Sequence, residues 1–172
     1  MKVPPVLILI PALLLAGCFD SLSDASHETE WSLDQQSYTL GGIGAFSEMV
    51  GAGVKKLALS APLDPQAMDA LLPHAQRIAS EHGVGLYRET DFLVTDLFSA
   101  ALTDGKHVLL ICAEDTHQEY LELKARKQSL IDSGQYVGDA RVDVARSFGE
   151  LLSYTDEKIN SLLAAEDNSP TP

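Results

Sequence analysis

Six side chains in this sequence are of the types that make a general base or a hard-cation site: Ser60, Glu89, Asp91, Glu114, Asp115 and His117. Each comes at or just after a short apolar run. Ser60 closes residues 56–60, Glu89 and Asp91 follow residues 84–88, and Glu114, Asp115 and His117 follow residues 106–113. If those runs are neighbouring parallel strands, all six stand at the carboxyl edge of one sheet, where open α/β sheets bind ligands. Carboxylates converging there with an imidazole and a hydroxyl supply a general base, or oxygen ligands for a divalent cation. Beyond such a cation, no cofactor is implied. The aspartates also have an ordinary use. Asp64, Asp91 and Asp115 each precede a predicted helix, where an Asp caps free backbone N–H groups without any further function.

Spacing argues against other chemistry. Gly42-Ile43-Gly44-Ala45-Phe46-Ser47 has the outline of a dinucleotide loop, GxGxxG with Ser in the last place. That motif needs a loop opening onto a long helix, so that a pyrophosphate meets the helix N-terminus. Gly51 and Gly53 leave room for only a short helix here, so these glycines read as turn and packing residues. His27, His74, His82, His107 and His117 are scattered, without the HxxxH or HExxH spacing of zinc sites. Ser60 is followed by Ala61-Pro62, which cannot open the helix a nucleophile elbow requires. Cys112 lies in the apolar run His107-Val108-Leu109-Leu110-Ile111-Cys112-Ala113 and reads as a small buried hydrophobe.

The elements that would position these residues follow from periodicity. Residues 56–60, 84–88 and 107–112 read as strands, near-continuously apolar as strands covered on both faces are. Between the first two, Asp64-Pro65 opens a helix with Asp as cap and Pro at the first position. Met68, Leu71, Leu72, Ala75 and Ile78 then recur at helical spacing, and Gly83 closes the helix after His82. Residues 91–102 read as a short helix, Asp104-Gly105 as a turn, and residues 115–133 as a long helix. Residues 37–40 add a possible strand, followed by a short helix over 45–52. Residues 142–153 and 156–165 are helical, with Thr155 capping the second. Strand and helix in alternation predict an α/β fold: a single domain over residues 37–166, with a mainly parallel sheet of three to four strands, flanking helices and a helical C-terminus.

The first residues have a different character. Lys2 is followed by an apolar stretch, residues 6–15, then by small residues and a cysteine. That order is a secretory signal, and Leu15-Ala16-Gly17-Cys18 resembles the lipobox of bacterial lipoproteins. The resemblance covers only the leader. It implies that residues 1–17 are removed, that Cys18 is acylated, and that the lipid holds the protein to a membrane. By the same resemblance, Phe19 rather than Asp after the Cys points to the outer membrane, with the domain facing the periplasm. Residues 18–36 form a polar, acidic tether containing Trp31, the lone tryptophan, which is expected to dock on the domain; residues 167–172 form a polar tail. No apolar run after the leader approaches the ~20 residues of a membrane-spanning helix.

The 172 residues carry a formal net charge of −13, with the acids dispersed along the chain. Such a surface repels phosphate backbones and excludes a nucleic-acid partner. With Cys18 committed to lipid, Cys112 has no partner for a disulfide. Two functions remain open. One is a lipid-anchored, non-catalytic module that binds an envelope protein or a small ligand. The other is a tethered hydrolase or metal-dependent enzyme that uses the acidic edge of the sheet.

Overall fold

Asp34 sets the first element. Its carboxylate accepts hydrogen bonds from the main-chain N–H groups of Gln36 (3.3 Å) and Ser37 (3.1 Å), capping helix α1, Gln35–Gly51. The computed structural model describes residues 34–98 and 100–167. The leader, Cys18, the tether up to Leu33 with the expected docking of Trp31, and residues 168–172 lie outside the described residues. After α1 come β1 (Leu57–Leu59), α2 (Pro65–Glu81), β2 (Gly85–Glu89), a 3-10 turn (Ala100–Leu102) and β3 (Val108–Cys112). Helices α3 (Thr116–Asp132), α4 (Asp139–Leu151) and α5 (Asp156–Asp167) complete the order. Among the described residues, no helix is long and apolar enough to cross a membrane.

The class is α/β, but the sheet corrects the expected parallel arrangement. Its strand order is β1-β3-β2, and β3 is antiparallel to both neighbours. β1 and β2 run the same way, joined through α2, and β3 fills the slot between them as in a split βαβ unit. A parallel β3 would need a crossover that returns the chain to the far end of the sheet. The helix expected over 91–102 would have been that crossover. It is instead an irregular loop with only the short 3-10 turn, so the chain re-enters the sheet at the end where β2 left it.

The alternation along β3 builds two cores. Leu109 and Ile111 face α1 and α2, joining Ile43, Val50, Ala58, Met68 and Leu71. Leu110 and Cys112 face α3 and α4, joining Leu57, Tyr120, Val144 and Phe148. All five residues of β3 are buried, which is why their sequence reads as one apolar run. Arg88 ties β2 to its surroundings. Its guanidinium bonds His107 Nδ1 (2.9 Å), an Asp69 carboxylate oxygen (2.5 Å) and the Pro65 carbonyl (3.2 Å).

Helix α1 overrides two readings. Residues 37–40 are helical rather than a strand, and Gln35 and Gln36 form the first turn of the helix rather than the end of the tether. Gly41, Gly42 and Gly44 also lie inside α1, so the GxGxxS outline is not a loop and opens no cradle for a pyrophosphate. Packing offsets the helix-breaking cost of these glycines, since Thr39, Ile43, Ser47 and Val50 form a buried stripe. Gly51 serves a close approach: a Cβ there would lie 2.7 Å from the His82 carbonyl oxygen. Two expected boundaries hold. Pro65 opens α2 and Gly83 (φ 68°) follows its end, while Thr155 Oγ1 accepts from Lys158 N at 3.2 Å ahead of α5.

Candidate functional site

The antiparallel register divides the acidic edge. Glu89 pairs with Val108 at the start of β3, whereas Gly85 pairs with Cys112 at its end. Glu114 and Asp115 follow Cys112 and therefore stand at the Gly85 end, four residues of strand, or about 13 Å, from Glu89. Divalent cations hold their oxygen ligands at roughly 2.0–2.6 Å, so these two pairs cannot share one ion. Among the described residues, no group of three or more His, Cys, Asp or Glu side chains is arranged to hold a metal ion.

Ser60, Glu89, Asp91 and His117 have local roles instead. Ser60 is buried, and its hydroxyl accepts from Leu109 N (2.9 Å) and donates to the Ala61 carbonyl (2.9 Å), stitching the end of β1 to β3. Glu89 accepts from Asp91 N (2.8 Å) and pairs with Lys124 (3.3 Å), a residue of α3. Asp91 is exposed and pairs with the same Lys124 (3.3 Å), whose ammonium also bonds the Asp91 carbonyl. Glu114 and Asp115 are exposed, and Asp115 precedes α3 without a side-chain capping bond. Asp64 likewise precedes α2 without one, its carboxylate held by Lys106 at 2.5 Å. His117 is brought towards Glu89 because α3 runs back along β2. Its ring lies flat on Tyr87, centroids 3.5 Å apart and planes 1° from parallel. Burial pushes the His117 pKa down, with the negative charge of Glu89 opposing.

The most apolar concavity lies elsewhere, at the open edge of β1. A cavity of about 370 Å³ is bounded by Phe46 of α1, Leu59 of β1, Phe92 and Phe98 of the loop before β3, and Tyr154 of the turn between α4 and α5. Phe92 and Phe98 meet edge to face, with centroids 6.3 Å apart, and each packs on the buried ring of Phe148 at 5.7 and 5.8 Å. This wall is therefore fixed before any ligand arrives. Lys55 stands at the same cavity, its ammonium 5.3 Å from the centre of the Tyr154 ring and 2.5 Å from the Leu152 carbonyl oxygen. Burial lowers the Lys55 pKa and raises that of Tyr154.

Sequence reasoning passed over these residues. The expected helix over 91–102 takes in Phe92 and Phe98, and Lys55 has no motif around it. The available signal was the pair of phenylalanines in a segment bounded by Asp91 and Asp104-Gly105, since a long irregular connection in a small domain is commonly functional. Comparison with family models, with curated proteins and with solved structures found no match for this chain.

Proposed function

We propose that this chain is a lipid-anchored protein of the cell envelope whose α/β domain works by binding rather than by catalysis. The observation that carries the anchor is the order of the leader, a basic start, an apolar run and Leu15-Ala16-Gly17-Cys18 in register. The anchor places the domain outside the cytoplasm, and Phe19 after the Cys favours the outer membrane with the domain in the periplasm. Binding is favoured over catalysis by how the side chains are used. Lys124 pairs with both Glu89 and Asp91, Glu114 and Asp115 stand at the other end of the sheet, and the Ser60 hydroxyl is spent on the main chain. The cavity beside β1 is a half-open, largely apolar cleft flanked by aromatic rings, the usual character of a ligand pocket.

The test is metabolic labelling with a palmitate analogue followed by membrane fractionation. The parent chain should carry label and sediment with membranes, and Cys18→Ser should lose both label and membrane association. An unlabelled parent protein in the soluble fraction would end this reading.

A further inference from the structure

The cavity at the β1 edge joins an apolar body to a single cation. Lys55 makes no ion pair among the described residues, although the chain carries an excess of acids. Its ammonium has three donors and gives one to the Leu152 carbonyl, which leaves two to meet a ligand. A half-buried cation over an aromatic ring, without a carboxylate beside it, is complementary to an anion arriving from outside.

The cavity also limits the shape of that anion. Taking the roughly 30 Å³ a water molecule occupies in the liquid as the share of one heavy atom, 370 Å³ holds about a dozen. Between Phe46 on one side and Phe92, Phe98 and Leu59 on the other, the walls offer apolar surface rather than polar partners. An added polypeptide strand fits less well. The β1–β3 register directs the main chain of Leu57 and Leu59 to the open edge, but Leu57 is 0% exposed, so Leu59 is the one position of β1 left for pairing. Lysines at 55 and 56 and Pro62 flank this three-residue strand, features that blunt an edge against strand addition.

We propose that this cavity binds a single-chain amphiphile of about a dozen heavy atoms, apolar along its length, with a carboxylate that meets the ammonium of Lys55. The inference rests on the reading of the domain as a binding module, and it is independent of the lipid anchor.

Decanoate is the probe, titrated by calorimetry into the mature chain, residues 18–172 carrying Cys18→Ser so that no attached acyl chain competes. Decylamine and decanol have the same tail with a cationic and a neutral head. Decanoate should bind in preference to both, and the protein's net negative charge cannot produce that order, since it attracts the amine. Lys55→Met, which keeps the apolar stem, should weaken decanoate about tenfold and leave decanol unchanged. Leu102 lines the same cavity and is 58% exposed, so Leu102→Asp is tolerated by the fold and should weaken decanoate by repulsion. Equal affinity for all three heads, or decanoate binding that both variants leave unchanged, would overturn the assignment of the head group. It would leave the binding module standing. Binding of a short apolar peptide but not of decanoate would overturn the ligand class in the same way. Failure of every probe to bind would remove the cavity as a site, and with it the structural support for a binding domain.

Discussion

Replacing Gly149 by Ala pits two effects of known size against each other. Gly149 lies in α4, where Ala in place of Gly gains roughly 1 kcal/mol of helix propensity. A Cβ at that position, however, would stand 2.7 and 2.8 Å from the Ile159 side chain and 3.2 Å from Leu97. Ile159 is 0% exposed and Leu97 6%, so neither can swing into solvent to make room. Overpacking of that kind costs about 1–3 kcal/mol. Taking the middle of that range, Gly149→Ala should be about 1 kcal/mol less stable than the parent. Gly42 is the internal control. It lies in α1, a Cβ there meets nothing within 4 Å, and Gly42→Ala should gain about 1 kcal/mol. Urea denaturation reads both as shifts of the midpoint at constant slope, in opposite directions and about 2 kcal/mol apart. Equal stabilisation by the two alanines would refute the packing of α5 against α4. The consequence reaches the cavity, because Tyr154 N donates to the Gly149 carbonyl at 3.0 Å, and that turn carries the Tyr154 wall.

Two further outcomes follow from titrating groups. Cys112 is 0% exposed and burial pushes its thiol up to about 12, so a thiol reagent should label it only when denaturant unfolds the domain; rapid labelling of the native protein would contradict its burial. For His117 the folded pKa lies below the ordinary 6.5, because burial disfavours the charged ring more than Glu89 favours it. The unfolded chain then takes up the proton first as pH falls, so this contribution to stability is complete above the unfolded value. It declines as pH drops through 6.5 towards the folded value. Urea midpoints at about pH 7.5 and 5.5 should differ less in His117→Gln than in the parent, and an identical pH dependence in the two proteins would exclude His117 as its source.

Much of the local structure was legible in the residues themselves. Pro65 and Gly83 bracket α2 in the sequence as they do in the fold, and Thr155 caps α5, because helix-end signals act over three or four residues. The three strands were found from their apolar runs, and the burial of Cys112 from its place in the third. The proposed leader and its lipobox-like end rest on the sequence alone.

Strand direction was decided only in the tertiary structure. A central strand buried on both faces presents the same five apolar residues whether it runs parallel or antiparallel to its neighbours, so residues 108–112 carry no mark of direction. That direction was set by the segment before it. Phe92, Leu93, Leu97 and Phe98 pack into the α3–α4 side of the core as a loop instead of forming a crossover helix. Helix α1 was hidden for a related reason, since its glycines disfavour a helix locally and its buried stripe restores one only against α2 and the sheet. The candidate site followed the strands. Reversing β3 carried Glu114 and Asp115 away from Glu89 and Asp91, while Phe46, Lys55, Leu59, Phe98 and Tyr154, far apart along the chain, were gathered at the edge that β1 leaves open. Residues that meet only through packing leave no spacing to read, and so the acidic motif was visible in the sequence and the cavity was not.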